Sequence, residues 1–517
     1  MTKDLVTSRK KTSSYVGRMS GSLRTILNSA DIWLIMVLGL FLRLRQFTKS
    51  DLWFDEAYTG ILMRVPKALY LSELKLDPHP PFYNIAMRYL TNVIGVSDVT
   101  LRLPALVFGV LTILFIYLSI KKFIDRETAL VAALLVSISP FLVEYSVEAR
   151  SYSFYGFLGT LALYFYTHRK YWALPVVLVP LLFTHLMAFT VVSAFFGIVF
   201  FDFVSSLLQK SSLKSQLPKI FALITVFASL LYFKAYVFNY YGETTIKAQA
   251  SKEWIRPVAY SNVSRSMEAY LLGVKVKLPG QDTLNDVDFI FDARIWGAFL
   301  VVVYFGLVLF IVTKYIRKIL SISKSDRNVL EQILAFINNE FVRLTLLFIV
   351  PQLLLIGASF YLDNNLYVER YLFPASIFFL ASFAYLIVKS LSFEIRAFVV
   401  LGYFLLVQAI IPHPYLFGMK RVATALQDFD KEIVFLAPVE YTVGRYYLGE
   451  NRTLRLYSPE DPLNTYNHWP FIEGDLRPKD PSSAIFVATK YQSVPPTFMK
   501  LEREDLNTGD YILYIQK

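Results

Sequence analysis

The sequence predicts an α-helical polytopic membrane protein with a small α/β domain at its C-terminal end. Three observations carry that expectation. Apolar runs of roughly 18 or more residues, each long enough to cross ~30 Å of hydrocarbon, recur through residues 31–411. Hydrophobic residues make up 55% of the chain and charged residues only 18%. After Pro412 the long apolar runs give way to short β-like runs between turn residues.

The charge pattern sharpens this reading. A net charge of +12 could serve nucleic acid, but Lys and Arg do not gather on one basic face. They sit in short clusters between apolar runs, as cytoplasmic loops do, which argues against a nucleic-acid partner. No cysteine is present, which excludes disulfides, Cys-ligated zinc and thiol catalysis. Residues 1–30 are polar and basic without an apolar core, unlike a cleaved signal peptide. They are expected in the cytoplasm, with the first apolar run retained as an anchor.

The first span is expected near residues 32–47, closed by Arg43, Arg45 and Lys49. A long loop follows, about 48–100, with acidic groups at Asp51, Asp55, Glu56, Glu73 and Asp77. After the prolines at 78, 80 and 81, which block helix continuation, Phe82, Ile85, Ala86, Tyr89, Leu90, Val93 and Ile94 recur at helical spacing. That pattern predicts an amphipathic helix lying in the interface. Further spans are expected near 103–120, 129–143 and 154–166, two short ones within 171–201 divided at Thr184-His185, and one to about 237. A second long loop, about 239–292, carries Glu243, Lys247, Lys252, Glu253, Trp254 and Arg256. The last spans fall near 295–313, 344–361, 372–388 and 397–411, about eleven in all.

The loops at 121–126, 168–170, 209–219, 314–327 and 389–396 are basic, while those at 50–97, 144–153 and 362–370 carry acidic residues. This alternation puts the basic loops inside and the acidic ones outside. An odd number of spans then places residues 412–517, with a helix near 421–431 and strands near 433–436, 453–457, 484–487 and 511–515, outside the cytoplasm. His413 and His468 read as surface residues of that domain.

Asp55 and Glu56 lie beside Trp53 and Phe54 at the expected lipid boundary. Helical neighbours point about 100° apart, so one carboxylate can act as base while the other holds the loop or a cation. A hydrated surface pair is the plainer alternative. His79, between two prolines, has few conformations and could bind a sugar or phosphate, ligate a metal, or only fill a turn. Arg150 could fork onto phosphate, snorkel to headgroups, or pair with Glu148 two residues before it. His185 reads either as a ligand or as a satisfied structural histidine. Arg370, with Tyr371 beside it, reads as a phosphate clamp or an interfacial anchor. No Walker loop, dinucleotide glycine pattern or His-Glu-x-x-His motif occurs.

Taken in order, Leu52-Trp-Phe-Asp55-Glu56-Ala-Tyr, His79-Pro-Pro-Phe-Tyr, Leu101-Arg-Leu-Pro-Ala, Glu148-Ala-Arg150-Ser-Tyr, Thr184-His185 and Glu369-Arg370-Tyr371-Leu-Phe-Pro resemble the GT-C glycosyltransferases. That superfamily includes protein O-mannosyltransferases and lipid A aminoarabinose transferases. The similarity spans about residues 30–410. It implies a polyprenyl-phosphate sugar donor (undecaprenyl- or dolichyl-linked), reached from the outer leaflet of the cell membrane, and a glycan, lipid or protein acceptor. It further implies inversion with Asp55 as base, and Glu56, His79, Glu148, Arg150, His185, Arg370 and Tyr371 around the substrate. Arg150, Arg370 and His185 would neutralise the departing phosphate. Some relatives hold a divalent metal near the positions matching Glu56, His79 and His185, whereas others work without one. The chain lacks the large β-trefoil insertion of eukaryotic protein mannosyltransferases, which points to a prokaryotic relative.

Two competing readings share these features. A flippase of lipid-linked saccharides also needs a polar cavity and cationic phosphate sites, but would put its charges at mid-membrane and show repeated halves. A glycan ligase of the same fold would depend on a basic outer-loop constellation rather than on the first-loop Asp-Glu.

Overall fold

The computed structural model describes residues 30–47, 50–75, 77, 79–240, 258–259, 261–273, 276–277, 301–310, 312–313, 317, 336–409, 411–412, 418–426, 431–449, 452–456, 484–489, 494, 496–501 and 511–516. Expectations for the N-terminal segment, most of the second long loop, Pro78, His413 and His468 lie outside the described residues.

The first part is a helical bundle. Its helices are α1 (Ala30–Phe47), α2 (Phe54–Arg64), α3 (Lys67–Leu74), α4 (Phe82–Ile94), α5 (Asp98–Phe123), α6 (Arg126–Ile138), α7 (Pro140–Tyr145) and α8 (Tyr152–Thr167). They continue as α9 (Leu174–Leu182), α10 (Ala188–Leu208), α11 (Leu213–Tyr232), α12 (Ser261–Leu272), α13 (Val301–Phe310), α14 (Glu340–Tyr361), α15 (Phe373–Ser390) and α16 (Phe393–Ala409). Among the described residues, five segments are long and apolar enough to cross a membrane: Asp98–Phe123, Ala188–Leu208, Leu213–Phe238, Glu340–Tyr361 and Glu369–Ser390. Tyr171–Leu182 and Val301–Phe310 are shorter apolar helices. The other expected spans coincide with α1, α6, α8 and α16, helices of 13 to 18 residues. With 94% of its apolar window buried, Glu369–Ser390 is the hub on which α6, α8 and α14 pack.

Local sequence signals set the helix ends. Ser97 caps α5 by accepting from the Thr100 amide, and Asp125 caps α6 through Thr128. Asn339 caps α14 at the amides of Phe341 and Val342. Lys121 and Lys122 close α5, where cations suit the negative end of the helix dipole. The amphipathic helix expected after the proline cluster is α4, and Gly95 ends it with φ of 81°. One expected span is divided. Residues 129–143 break at Ser139-Pro140, because Pro140 has no amide hydrogen to continue α6 and Ser139 instead caps α7.

The C-terminal part holds α17 (Met419–Leu426) and α18 (Pro438–Leu448). Its strands are β3 (Ile433–Phe435), β4 (Leu454–Leu456), β5 (Ile485–Thr489), β6 (Phe498–Lys500) and β7 (Tyr511–Gln516), following the short antiparallel pair β1 (Val276–Lys277) and β2 (Ile411–Pro412). The five-stranded sheet runs β4-β3-β5-β7-β6. The β4-β3-β5 half is parallel, with α18 as the crossover from β3 to β4, and β7 pairs antiparallel with β5 and β6. Neither β6 nor α18 was legible in the sequence. The helix expected at 421–431 starts earlier, at Met419, where the Asp51 carboxylate caps its first turn at the amides of Gly418 and Lys420.

The two parts share a core. Leu52, Tyr58, Ile61, Leu62 and Met87 of the first loop form one apolar cluster with Met419, Val422, Ile433 and Tyr446 of the C-terminal domain. The C-terminal domain is thereby seated on the loop that carries Asp55.

Candidate active site

The site is assembled from turns at one end of the bundle, each held by its own local chemistry. Asp55 stands in the first turn of α2, half-buried, with its backbone carbonyl accepting from the Thr59 hydroxyl at 3.0 Å. Glu56, next in sequence, is 2% exposed and fully engaged. One of its oxygens accepts from Arg102 Nε at 2.7 Å and from the Ala149 amide at 2.7 Å. The other accepts from the second Arg102 nitrogen at 2.6 Å and from the Trp53 amide at 3.2 Å, closing a capping box on α2. The adjacent carboxylates therefore differ: Glu56 ties the loop to α5 and to the 146–151 turn, whereas the Asp55 carboxylate takes no part in that tie. No oxygen of Glu56 remains for the phosphate or metal roles that the sequence suggested.

Arg102 completes that tie, donating also to the carbonyls of Phe47, Ser50 and Asp51. It sits in the Leu-Arg-Leu-Pro-Ala stretch, which sequence reasoning noted without giving it a role. Asp77 was also passed over as a site residue. It is buried, accepts from the His79 amide at 2.8 Å and from Asn84 Nδ2 at 3.1 Å, and so fixes the turn that presents His79. Burial pushes the Asp77 carboxyl up, against the pull of Arg150 and these two hydrogen bonds. The signal available for it was its position just before the proline-flanked histidine, where an Asx turn is expected.

Arg150 lies within 3.4 Å of the Thr59 hydroxyl. Burial alone would lower its pKa, but Asp55 and then Asp77 outweigh burial and push it up, so it stays charged. Glu148 is buried, and neither of its oxygens has a hydrogen-bond partner among the described residues. Burial pushes its carboxyl well above the usual range and Glu56 adds to this, with Arg370 pulling the other way. The group is thereby held in its neutral form.

The two histidines come together although they are far apart in sequence. Their ring centroids lie 4.5 Å apart, and the Tyr371 ring is 5.1 Å from His185 and 6.4 Å from His79. Tyr155 stacks on His185 at 5.3 Å and 10°. The Phe82 amide donates to the Phe183 carbonyl at 3.3 Å, joining the two histidine turns. His185 Nδ1 accepts from the Met187 amide at 3.1 Å, which leaves the hydrogen of the neutral ring on Nε2. Buried Nε2 has no protein partner among the described residues. Burial, then Arg150 and Arg370, depress the pKa of His185 to about 3. It is therefore a neutral donor rather than the cation suggested by its grouping with the two arginines. The Arg370 guanidinium lies 5.9 Å from the Tyr371 ring centroid and interacts electrostatically with Glu148 and His185.

Every candidate from the sequence thus falls at this end of the bundle, with Glu56 turned to a structural task. Among the described residues no group of three His, Cys, Asp or Glu side chains converges to hold a metal. With its carboxylate committed to Arg102, the Glu56, His79 and His185 set does not fit a divalent ion.

Residues 78–233 match the family model for dolichyl-phosphate-mannose-protein mannosyltransferase. That stretch contains His79, Arg102, Glu148, Arg150 and His185. No curated protein matches by sequence. Among solved structures, ArnT from Cupriavidus metallidurans in the apo state aligns with 94% of this chain and 98% of its own, at 10% identity and a TM-score of 0.52. ArnT bound to undecaprenyl phosphate aligns over 93% and 97%, at 11% identity and 0.48. The Archaeoglobus fulgidus oligosaccharyltransferase aligns over 82% of this chain at 12% identity and 0.45, and this chain spans 64% of that protein's length. The chain has the GT-C fold, and the likeness carried by its motifs is matched by the family model over residues 78–233.

Proposed function

We propose that this protein is an integral-membrane glycosyltransferase that moves a sugar from a polyprenyl-phosphate donor to an acceptor outside the cytoplasm, with inversion and with Asp55 as general base. The observation that carries the reading is the buried Arg150 guanidinium, 3.4 Å from the Thr59 hydroxyl one turn beyond Asp55 and in the field of the Asp55 and Asp77 carboxylates. A carboxylate and a phosphate-binding cation side by side are what such a transfer needs. The match of residues 78–233 to a lipid-phosphate-mannose-dependent family supports the same donor class.

In this mechanism Asp55 takes the proton of the acceptor hydroxyl or amine as that atom attacks the anomeric carbon. The bond from that carbon to the phosphate oxygen breaks on the opposite face, and its electron pair stays on the departing polyprenyl phosphate. Arg150 and Arg370 offset the negative charge in a poorly solvated site, where each interaction is stronger than in water. The Nε2 hydrogen of His185 donates to a phosphate oxygen without adding charge. Neutral Glu148 can stand beside a phosphate without repelling it and can donate to it or to a sugar hydroxyl. His79 and Tyr371 line the face next to His185. Glu56 and Arg102 hold the loop so that Asp55 faces this group. The proton on Asp55 leaves to bulk water after product release.

The test uses membranes containing wild type or Asp55→Asn and radiolabelled polyprenyl-phosphate sugars. Donor consumption by wild type alone, with donor binding kept by the variant, is the expected outcome. Near-normal transfer by Asp55→Asn would remove Asp55 as the base.

A further inference from the structure

The first loop begins at Leu52 and ends at Asp98, and one hydroxyl group from the C-terminal domain joins the two ends. Tyr447, on α18, accepts from the Leu52 amide at 2.8 Å and donates to Asp98 Oδ2 at 3.0 Å. Its neighbour Tyr446 donates to the other Asp98 oxygen at 3.1 Å. The far end of α2 is held by the same helix. Arg64 donates to the Tyr446 carbonyl at 2.7 Å, and its guanidinium lies 4.1 Å from the Tyr446 ring centroid. In between, Gly60 meets that ring so closely that a Cβ there would fall 2.4 Å from it. Asp51 reciprocates by capping α17 at Gly418 and Lys420. The helix bearing Asp55 is thus held before its start, along its length and at its end by residues some 350 to 400 positions away.

We propose that the C-terminal α/β domain is part of the catalytic unit and that Tyr447 is a positioning residue, fixing the backbone that leads into Asp55. The physical argument is geometric. Leu52 is fully buried, three residues ahead of Asp55, and its amide has no helical partner because it precedes the first turn of α2. Without the Tyr447 hydroxyl that amide is unsatisfied in an apolar core, and the turn can recover only by moving toward water. The Arg102 tie to Glu56 holds the same turn from the bundle side. Asp55 therefore projects from a segment gripped between two domains. A shift of the order of 1 Å in a reacting group costs about 10²-fold in rate. The function of this clasp rests on the reading of Asp55 as the base, whereas the clasp itself can be tested without it.

The test compares full-length wild type, Tyr447→Phe and Tyr446→Phe in lipid nanodiscs. Hydrogen exchange is followed for peptides covering 50–58 and, separately, 431–456. For Tyr447→Phe the expectation is about fivefold to tenfold faster exchange at 50–58, from the loss of one hydrogen bond of ~1 kcal/mol, with 431–456 unchanged. Tyr446→Phe keeps its carbonyl and ring contacts with Arg64, and leaves 50–58 at the wild-type rate. Unchanged exchange at 50–58 in Tyr447→Phe overturns the proposal, as does an equal rise in both variants or faster exchange throughout 431–456. A kinetic arm uses undecaprenyl-phosphate mannose as donor. A kcat lowered about tenfold in Tyr447→Phe, at a donor KM within twofold of wild type, supports positioning of Asp55. A raised KM with unchanged kcat overturns it. Failure of wild type to consume this donor bears on the proposed function alone, and the exchange result still decides the clasp.

Discussion

Glu56 and Arg102, 46 residues apart, form a buried ion pair at 2.6 Å in which both carboxylate oxygens and three further backbone carbonyls are engaged. The pair divides the labour of the adjacent acidic residues. Glu56 is committed to holding three chain segments together, and the proposed function assigns the work on substrate to Asp55.

Breaking this pair leaves an uncompensated buried charge. Arg102→Met and Glu56→Gln are each expected to lower stability by about 3–5 kcal/mol. The double variant Glu56→Met/Arg102→Met is expected to recover only part of that, because the amides of Trp53 and Ala149 still lose their acceptor. Thermal unfolding in detergent across the double-mutant cycle measures the coupling, and full recovery in the double variant would show that the amide contacts are unimportant.

Asp55→Asn keeps the shape of the side chain and removes its basicity. A loss of about 10²–10⁴-fold in transfer rate is expected, with unchanged binding of undecaprenyl phosphate. Thermal stability near that of wild type would separate this loss from the unfolding expected at Glu56.

His185 provides a pH test with a fixed sign. Its pKa is about 3 in the folded chain against an ordinary 6.5, so between these values the unfolded state binds more protons. Stability from this residue is present above about pH 6.5 and falls as pH drops toward about 3. Unfolding temperature followed from pH 7.5 downward should decline less steeply in His185→Leu than in wild type. For transfer, His185→Gln, which keeps a neutral donor, is expected to retain more activity than His185→Lys; the reverse order would point to a cationic role.

Glu148 gives the opposite sign. Its carboxyl is raised well above the ordinary carboxylate range, so the folded state binds more protons in the window above pH 4.5. Stability from this group falls as pH rises through that window. Glu148→Gln should therefore unfold at a higher temperature than wild type at pH 7 and show a flatter pH profile. If it also keeps undecaprenyl phosphate binding, the neutral form is the one that meets the donor.

How much of this was legible in the sequence follows from the range over which each signal acts. Ser97, Asp125 and Pro140 cap or break helices through contacts within a few residues, yet the continuous apolar run at 129–143 concealed the break at Pro140. The apolar repeat of α4 likewise depends only on spacing. The motifs around Asp55, His79, Glu148, Arg150, His185 and Arg370 marked which turns gather at one end of the bundle, since charged and imidazole groups are costly at a membrane border unless they are used or paired.

Tertiary structure alone decided which of these groups face one another and in what form. Nothing local distinguishes Asp55 from Glu56; Arg102 does so by pairing with one of them. The Met187 amide fixes the proton of His185, and burial favours its neutral form, whereas its sequence neighbourhood left a ligand and a satisfied structural histidine both open. Three-residue strands such as β4 and β6 are too short to carry a period and exist only because neighbouring strands supply their hydrogen bonds. The seating of α18 on α2 joins Leu52, Asp98 and Tyr447 across hundreds of residues. The sequence alone thus determined a membrane bundle, the amphipathic helix of its first loop and a small α/β domain at its end, because those depend on composition and short spacing. The partners, the protonation states and the clasp on Asp55 arise from long-range burial, which exists only once the chain has folded.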